Sequence, residues 1–172
     1  MGRCKSLLPW GGGTLLSHTI ATARSAGVVE IVVVWGAHEA VRDEAIRRRT
    51  QAVENLDWAR GPGGSIAAGV AASPSAPVLI LTADMPLVTA SDLRSIISTP
   101  PAAAAFAGTI GPPACFPESA REVLLDLPAE RGAKSLLKSY GETLRQVPIV
   151  AAACDLDTPA AYEAAYRSHH PA

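Results

Sequence analysis

Two short runs constrain this chain more than anything else in it: VEIVVVW at 29–35 and PVLILT at 77–82. Glu30 apart, both are continuous apolar stretches rich in branched side chains. Neither alternates, so neither has a solvent-facing side. Strands of this kind are covered on both faces, as happens where helices pack on both sides of a parallel sheet.

The segments between the runs carry helix punctuation. Thr14 can cap a helix to about Ala26, stopped at Gly27. Further helices are expected over 37–48, over 64–72 ending before Pro74, and over 90–97 with Thr89 as cap and Asp92 in the first turn. Pro117 and Glu118 open another to about Leu127, and Pro159 opens the last. Weaker strands are expected at 52–55, near 102–107 and near 144–150. Strand and helix alternating at this spacing predict an α/β fold: a three-layer, Rossmann-like, mainly parallel sheet with helices on both faces. No repeat and no long linker divides the 172 residues, so one domain over 1–172 is expected.

Composition narrows the function classes. A net charge of −1 argues against a nucleic-acid-binding surface. The one dense basic run, Arg47-Arg48-Arg49, ends a predicted helix, where cations suit the dipole and a solvated helix end is expected. Cys4, Cys115 and Cys154 are scattered with no paired spacing, which speaks against a disulfide framework or zinc site and for a reducing cytoplasm. The apolar runs are much shorter than the ~20 residues of a membrane span, and no secretory signal pattern is present.

In open α/β sheets, ligands sit beyond the carboxyl ends of the strands. Three segments would meet there. In LILTADMPLV, Asp84 stands just past an apolar strand and Pro86 stops the pairing. Such a carboxylate suits Mg²⁺, which takes one or two carboxylates plus phosphate oxygens; the bland alternative is a turn-capping Asp. In GPGGSIAAGV, Gly61, Gly63, Gly64 and Ser65 precede or open a helix whose amides could meet phosphate, ribose or base oxygens; taken alone, this is a flexible loop with Ser65 as cap. CDLDTPAAY offers Asp155 and Asp157, with Asp157 either a second metal carboxylate or a plain helix cap. Lys5, with Arg3, could offset phosphate charge, against the alternative of a solvated tail. His38 reads as capping or lining a helix start, and His169 and His170 as part of a disordered tail without a role.

Taken together, these stretches resemble the molybdenum cofactor nucleotidyltransferase family, most closely its cytidylyltransferase branch. MGRCKSLLPWGGGTLL is similar to the second half of the family's phosphate loop, which makes Lys5 the phosphate-binding lysine. NLDWARGPGGSIAAGV resembles the segment along the nucleotide and adds Asn55 to Gly61, Gly63, Gly64 and Ser65 as nucleotide-binding residues. TADMPLV resembles the Gly-Asp-Met-Pro motif, with Asp84 as metal ligand. IGPPACFP resembles a segment on the acceptor side and points to Gly111 and Pro113. ERGAKSLL and DLDTPAAYEA match C-terminal landmarks, so the resemblance covers nearly the whole chain.

The resemblance implies the nucleotide-diphospho-sugar transferase type of fold and a cytoplasmic, Mg²⁺-dependent enzyme with Asp84 and Lys5 as catalytic residues. It would transfer CMP from CTP to the phosphate of a molybdopterin-type acceptor, with a molybdoenzyme or its maturation factor as a downstream partner and neither nucleic acid nor membrane involved. Cys4, where the guanylyl branch has Asp, favours CTP over GTP. Two departures stand out: GPGGS replaces a serine-rich loop, and the family's first strand and glycine loop, which precede its Met-Gly, have no counterpart here. The expectation is that the chain is N-terminally truncated relative to the family. A non-catalytic nucleotide- or cofactor-binding protein and a guanylyl or sugar-phosphate nucleotidyltransferase are the alternatives.

Overall fold

A computed structural model describes residues 4–74, 76–154 and 156–170. Arg3 and Asp155, two of the candidate residues, lie outside the described residues. The chain opens with a hairpin, β1 (Pro9–Trp10) and β2 (Gly13–Thr14), and continues through α1 (Leu15–Ser25), β3 (Val32–Trp35), α2 (Glu39–Arg47), β4 (Gln51–Glu54) and α3 (Pro62–Ala72). Then come β5 (Val78–Ile80), α4 (Ala90–Ile97), β6 (Ala102–Phe106), β7 (Thr109–Phe116), α5 (Arg121–Leu125), α6 (Lys134–Ser139), β8 (Arg145–Pro148) and α7 (Pro159–His169).

The helix starts follow the capping chemistry. Thr14 and Thr89 each cap their helix in a reciprocal box with the residue three positions on, Ser17 and Asp92. The strand β3 is shorter than its apolar run, because Val29 is 97% exposed and leaves the sheet. Strand β7 runs against the sequence pattern, since TIGPPACF holds a glycine and two prolines. It is accommodated by a register shift. Ala103 pairs with Ala114 and Ala104 with Gly111, so Pro112 and Pro113 fall in the irregularity and need donate no ladder bond.

The larger sheet has the order β5-β7-β6-β8. Its β7 runs against the other three, and β6 and β8 are parallel. Successive alanines of β6 face opposite layers. Ala102 and Ala104 pack with Leu93, Ile96 and Cys115, whereas Ala103 packs with Val70, Phe116, Leu124 and Leu137. Small side chains let helices approach both faces closely, which makes the three layers. Burial leaves the Cys115 thiol in this core pushed up to about 11, an inert packing group.

A second, parallel pair, β3-β4, carries its own core of Leu16, Ile20, Val33 and Ala45. Among the described residues, β3 and β5 have no ladder partner on the sides where the two sheets face each other. Between them runs an apolar cleft. One cavity of about 650 Å³ is lined by Val32, Val34, Ile66, Val78 and Ile80 among others. A second of about 250 Å³ includes Leu16, Ile20, Val33, Leu79 and Leu81.

The arginine run is not simply a solvated helix end. Glu44, 3% exposed, accepts from Arg47 Nε at 3.0 Å, Arg48 Nε at 2.9 Å and the Thr14 hydroxyl at 3.3 Å. Burial pushes the Glu44 carboxyl up, but the bonds from Arg48 and Arg47 outweigh it and hold it below its usual range. A carboxylate depressed in the folded state stabilises the fold above its unfolded pKa and loses that contribution as pH falls through the folded value. Glu44→Gln should therefore cost about 1–3 kcal/mol at neutral pH. In urea melts the gap from wild type should close below the usual glutamate pKa of about 4.3; a gap independent of pH would show that the charge is not what matters.

Candidate functional site

The N-terminal segment ends up among the strand ends because its short helical turn, Lys5–Leu7, is followed by a hairpin that buries Trp10. Trp10 packs with Leu15, Leu156 and Ala165, tying the start of the chain to α7. The Tyr162 hydroxyl donates to Pro9 O at 2.6 Å, and the Leu156 amide donates to Asp84 O at 3.4 Å. Three segments far apart in sequence therefore meet: the turn at Lys5, the loop after β5, and the approach to α7.

At their meeting point Lys5 Nζ donates to Asp84 Oδ2 at 2.8 Å and to Asp157 Oδ1 at 2.7 Å. The Lys5 and Asp84 side chains are each 25% exposed, and Asp157 is 75% exposed. Burial raises the Asp84 carboxyl pKa, but hydrogen bonds from Lys5 and Thr82 and the Lys5 charge outweigh it, and the net direction is down. Asp84 is thus an anion held at a strand end. Its Oδ1 is buried and has no hydrogen-bond partner of good geometry.

Asp157 has no capping duty here. Thr158 is the cap of α7, accepting from the Ala161 amide at 3.1 Å. Its carboxylate is turned to Lys5 instead. Two carboxylates, one with a buried unpartnered oxygen, are a hard-oxygen donor set. That fits Mg²⁺ or Mn²⁺, which keep several ligand positions for water and phosphate. Among the described residues no cluster of three or more His, Cys, Asp or Glu forms a complete protein-only metal cage.

The nucleotide-segment candidates sit differently. Asn55, 8% exposed, donates from Nδ2 to Ser65 Oγ at 2.9 Å and accepts from the Asp57 amide at 3.1 Å. Both ends of its amide are engaged in holding the turn after β4 against α3. Ser65 is not the helix cap, since α3 begins at Pro62 with Gly61 before it. Gly61 has a φ of +138°, a left-handed conformation that suits glycine. A Cβ on Gly63 would collide with the Pro128 and Arg131 carbonyls, and one on Gly61 with the Ala129 carbonyl. The side of the backbone on which those Cβ atoms would sit is therefore packed against the 128–131 loop. A Cβ on Gly64 would lie 3.3 Å from Asn55 Nδ2.

Gly111 and Pro113 are both buried within β7. Pro113 also lines a small pocket with His18, Thr19, Thr82 and Met85, near the loop that carries Asp84. His38 precedes α2 without a side-chain capping bond. His169 and His170 correct the expectation of a disordered tail. His169 Nδ1 lies 2.9 Å from Ala165 O, and both rings lie against Trp10 at centroid distances of 6.1 and 5.1 Å. Trp58 is a residue that sequence reasoning left without a role. Its ring rests on Gly36, where any Cβ would clash with it, yet Trp58 remains 49% exposed beside the ends of β3 and β4. The Gly36 and Trp58 pair, 22 positions apart, gives no local pattern that could have revealed it.

Known proteins share this architecture. Rv0371c of Mycobacterium tuberculosis superposes with a TM-score of 0.80 at 25% identity, covering 97% of this chain and 91% of that one. A manganese complex of the same protein superposes at 0.74. A nucleotidyl transferase from Methanothermobacter, at 22% identity and a TM-score of 0.80, shares the fold. The purine catabolism protein PucB of Bacillus subtilis is 26% identical over 98% of this chain and 90% of its own length. Nicotine blue oxidoreductase of Paenarthrobacter nicotinovorans is 37% identical over 48% of this chain and 41% of its own. The bifunctional protein GlmU of Stenotrophomonas maltophilia is 34% identical over 56% of this chain, which spans only 22% of that protein. The fold is that of nucleotide-diphospho-sugar transferases. The MobA-like NTP transferase domain matches residues 1–147, and the chain belongs to that family.

Proposed function

We propose that this nucleotidyltransferase is Mg²⁺-dependent and moves CMP from CTP to the phosphate of a molybdopterin-type acceptor, releasing pyrophosphate. The observation that carries the reading is the convergence of Asp84, Asp157 and Lys5 beyond the strand ends, with neither carboxylate used to cap a helix. In the reaction an acceptor phosphate oxygen forms a bond to the α-phosphorus, and the bond from that phosphorus to the bridging oxygen breaks. Such transfers depend on positioning and charge neutralisation rather than on a protein nucleophile. Asp84 and Asp157 would hold the metal ion, which when bound neutralises phosphate charge. Lys5 would meet phosphate oxygens as a point charge. The Asn55–Ser65 contact would keep the start of α3 fixed beside the nucleotide.

The choice of CTP rests on the resemblance through Cys4 ahead of Lys5 and the GGGTLL segment, and that of a molybdopterin on the family resemblance as a whole. The relatives named above carry different functional names, so the acceptor is the part of the reading that calls for direct assay. Incubation with each nucleoside triphosphate, Mg²⁺ and candidate acceptors, with pyrophosphate detected, separates the choices. Release with CTP and molybdopterin is the expected result. Binding of nucleotide or pterin without release under any pairing would favour a non-catalytic binder.

The apolar cleft between β3 and β5 belongs to the same proposal. Two unpaired edges flanked by apolar walls have the shape left for a further parallel strand. Ser6 lines the cleft with Val34, Thr82 and Ala83, so a strand lying there would reach the vicinity of the Lys5 turn. Its final loop would then present backbone amides beside Lys5 and Asp84, where phosphates bind.

Asp84→Asn should lower turnover by about 100-fold or more, the consequence of losing several kcal/mol of charge stabilisation, with the circular dichroism spectrum unchanged. Normal turnover in that variant would remove the metal assignment. An apolar peptide of strand length added to the protein should seat in the cleft and raise its melting temperature; an unchanged melting temperature would contradict the assignment of the cleft.

A further inference from the structure

Lys5 occupies the point that a metal ion would need. Its ammonium lies 2.8 Å from Asp84 Oδ2 and 2.7 Å from Asp157 Oδ1, so the oxygens of both carboxylates converge on it. A divalent ion using those oxygens cannot share that point with a cation. Like charges so close, with Asp84 three-quarters buried, repel strongly because water screens them poorly. Asp84 Oδ1 is buried with no hydrogen-bond partner of good geometry while Lys5 is engaged by Oδ2. The carboxylate therefore has coordinating capacity that the lysine does not satisfy.

We propose that Lys5 is an exchangeable internal counter-ion: in the metal-free protein it closes the site, and a divalent ion enters only by displacing it. The proposal rests on the assignment of Asp84 and Asp157 as metal ligands. Displacement moves the ammonium away from the carboxylates, where it can meet the negative phosphates of an incoming nucleotide. Metal and nucleotide then favour each other's binding. The metal frees the lysine, and the nucleotide gives the freed lysine a partner. Thermodynamic linkage makes this reciprocal, so nucleotide tightens metal binding by the same factor as metal tightens nucleotide binding. Metal alone binds weakly, because it must first break the charge-assisted bonds from Lys5 to Asp84 and Asp157.

Lys5 thus has two opposite effects on affinity. It opposes metal in the absence of nucleotide and supports the nucleotide complex in its presence. A residue that only stabilised the fold, or only bound phosphate, would not reverse sign in this way.

The test is a titration of the full chain with Mn²⁺ alone, reading free Mn²⁺ by electron paramagnetic resonance. Lys5→Met should bind Mn²⁺ about tenfold more tightly than wild type, the size of one charge-assisted hydrogen bond. Lys5→Arg, which keeps the charge, should bind no more tightly than wild type. With CTP present the order should invert, Lys5→Met binding the Mn²⁺–nucleotide pair more weakly. Equal or weaker Mn²⁺ binding by Lys5→Met, with Asp84→Asn still abolishing binding, overturns the exchange and leaves the metal site standing. Mn²⁺ binding unaffected by both Asp84→Asn and Asp157→Asn removes the metal site itself. On the wild-type protein, reductive methylation of Lys5 should quicken as Mn²⁺ saturates. An unchanged rate would overturn the exchange without reliance on any variant.

Discussion

A carboxylate at the end of an apolar strand must find a counter-charge, and much of this molecule's assembly follows from how Asp84 does so. Its partner comes from residue 5, 79 positions away in the sequence. Lys5 is held there because the hairpin after it buries Trp10 against α1 and α7. Asp157 is held there because Thr158, not Asp157, starts α7. The same contacts that fasten the two ends of the chain to each other therefore assemble the charged cluster. Neutralisation is incomplete, since Asp84 keeps one buried oxygen without a good partner. A purely structural ion pair has no need for that surplus, whereas a site that exchanges cations does.

The sheet shows a contrasting economy. Its β5-β7-β6-β8 half is dense, with alanines admitting helices to both faces and Phe116, Leu93 and Leu124 filling the layers. The β3-β4 half has its own smaller core and, between β3 and β5, faces the other half across the apolar cleft, with α1 and α3 packing against both halves. The charged cluster adjoins that cleft, beside Ser6, Thr82 and Ala83. Whatever occupies the cleft will thus influence how firmly Lys5 and Asp84 are positioned, which links the stability of the sheet to the chemistry proposed at its edge.

Much of the fold was legible in the sequence because its signals are local. Thr14 and Thr89 carry caps within three residues of themselves, and the run around Leu79 has the length and branching of a buried strand. Strand β7 was not legible, because prolines and a glycine argue against a strand, and only a register shift relative to β6 makes room for them. Asp84 and Lys5 could be singled out by type and position, but their contact spans 79 positions and depends on the whole fold. Gly61 and Gly63 show the opposite case. A glycine-rich loop suggests an open approach for a ligand, yet here the Cβ side of both glycines is packed against the 128–131 loop. Glycine content reports a close approach of something to the backbone, and sequence alone does not say what approaches. The histidines at 169 and 170 were misread for a similar reason, since Trp10, which anchors them, lies 159 and 160 positions away.

The central claim is that the point between Asp84 and Asp157 belongs to a metal ion in the working state and to Lys5 in its absence. Anomalous diffraction from crystals grown with Mn²⁺ and a nucleotide tests it most directly. The account predicts an anomalous peak within coordinating distance of Asp84 and Asp157, with the Lys5 ammonium moved to the phosphates. A peak elsewhere, or Lys5 still seated between the two carboxylates with nucleotide bound, would contradict it.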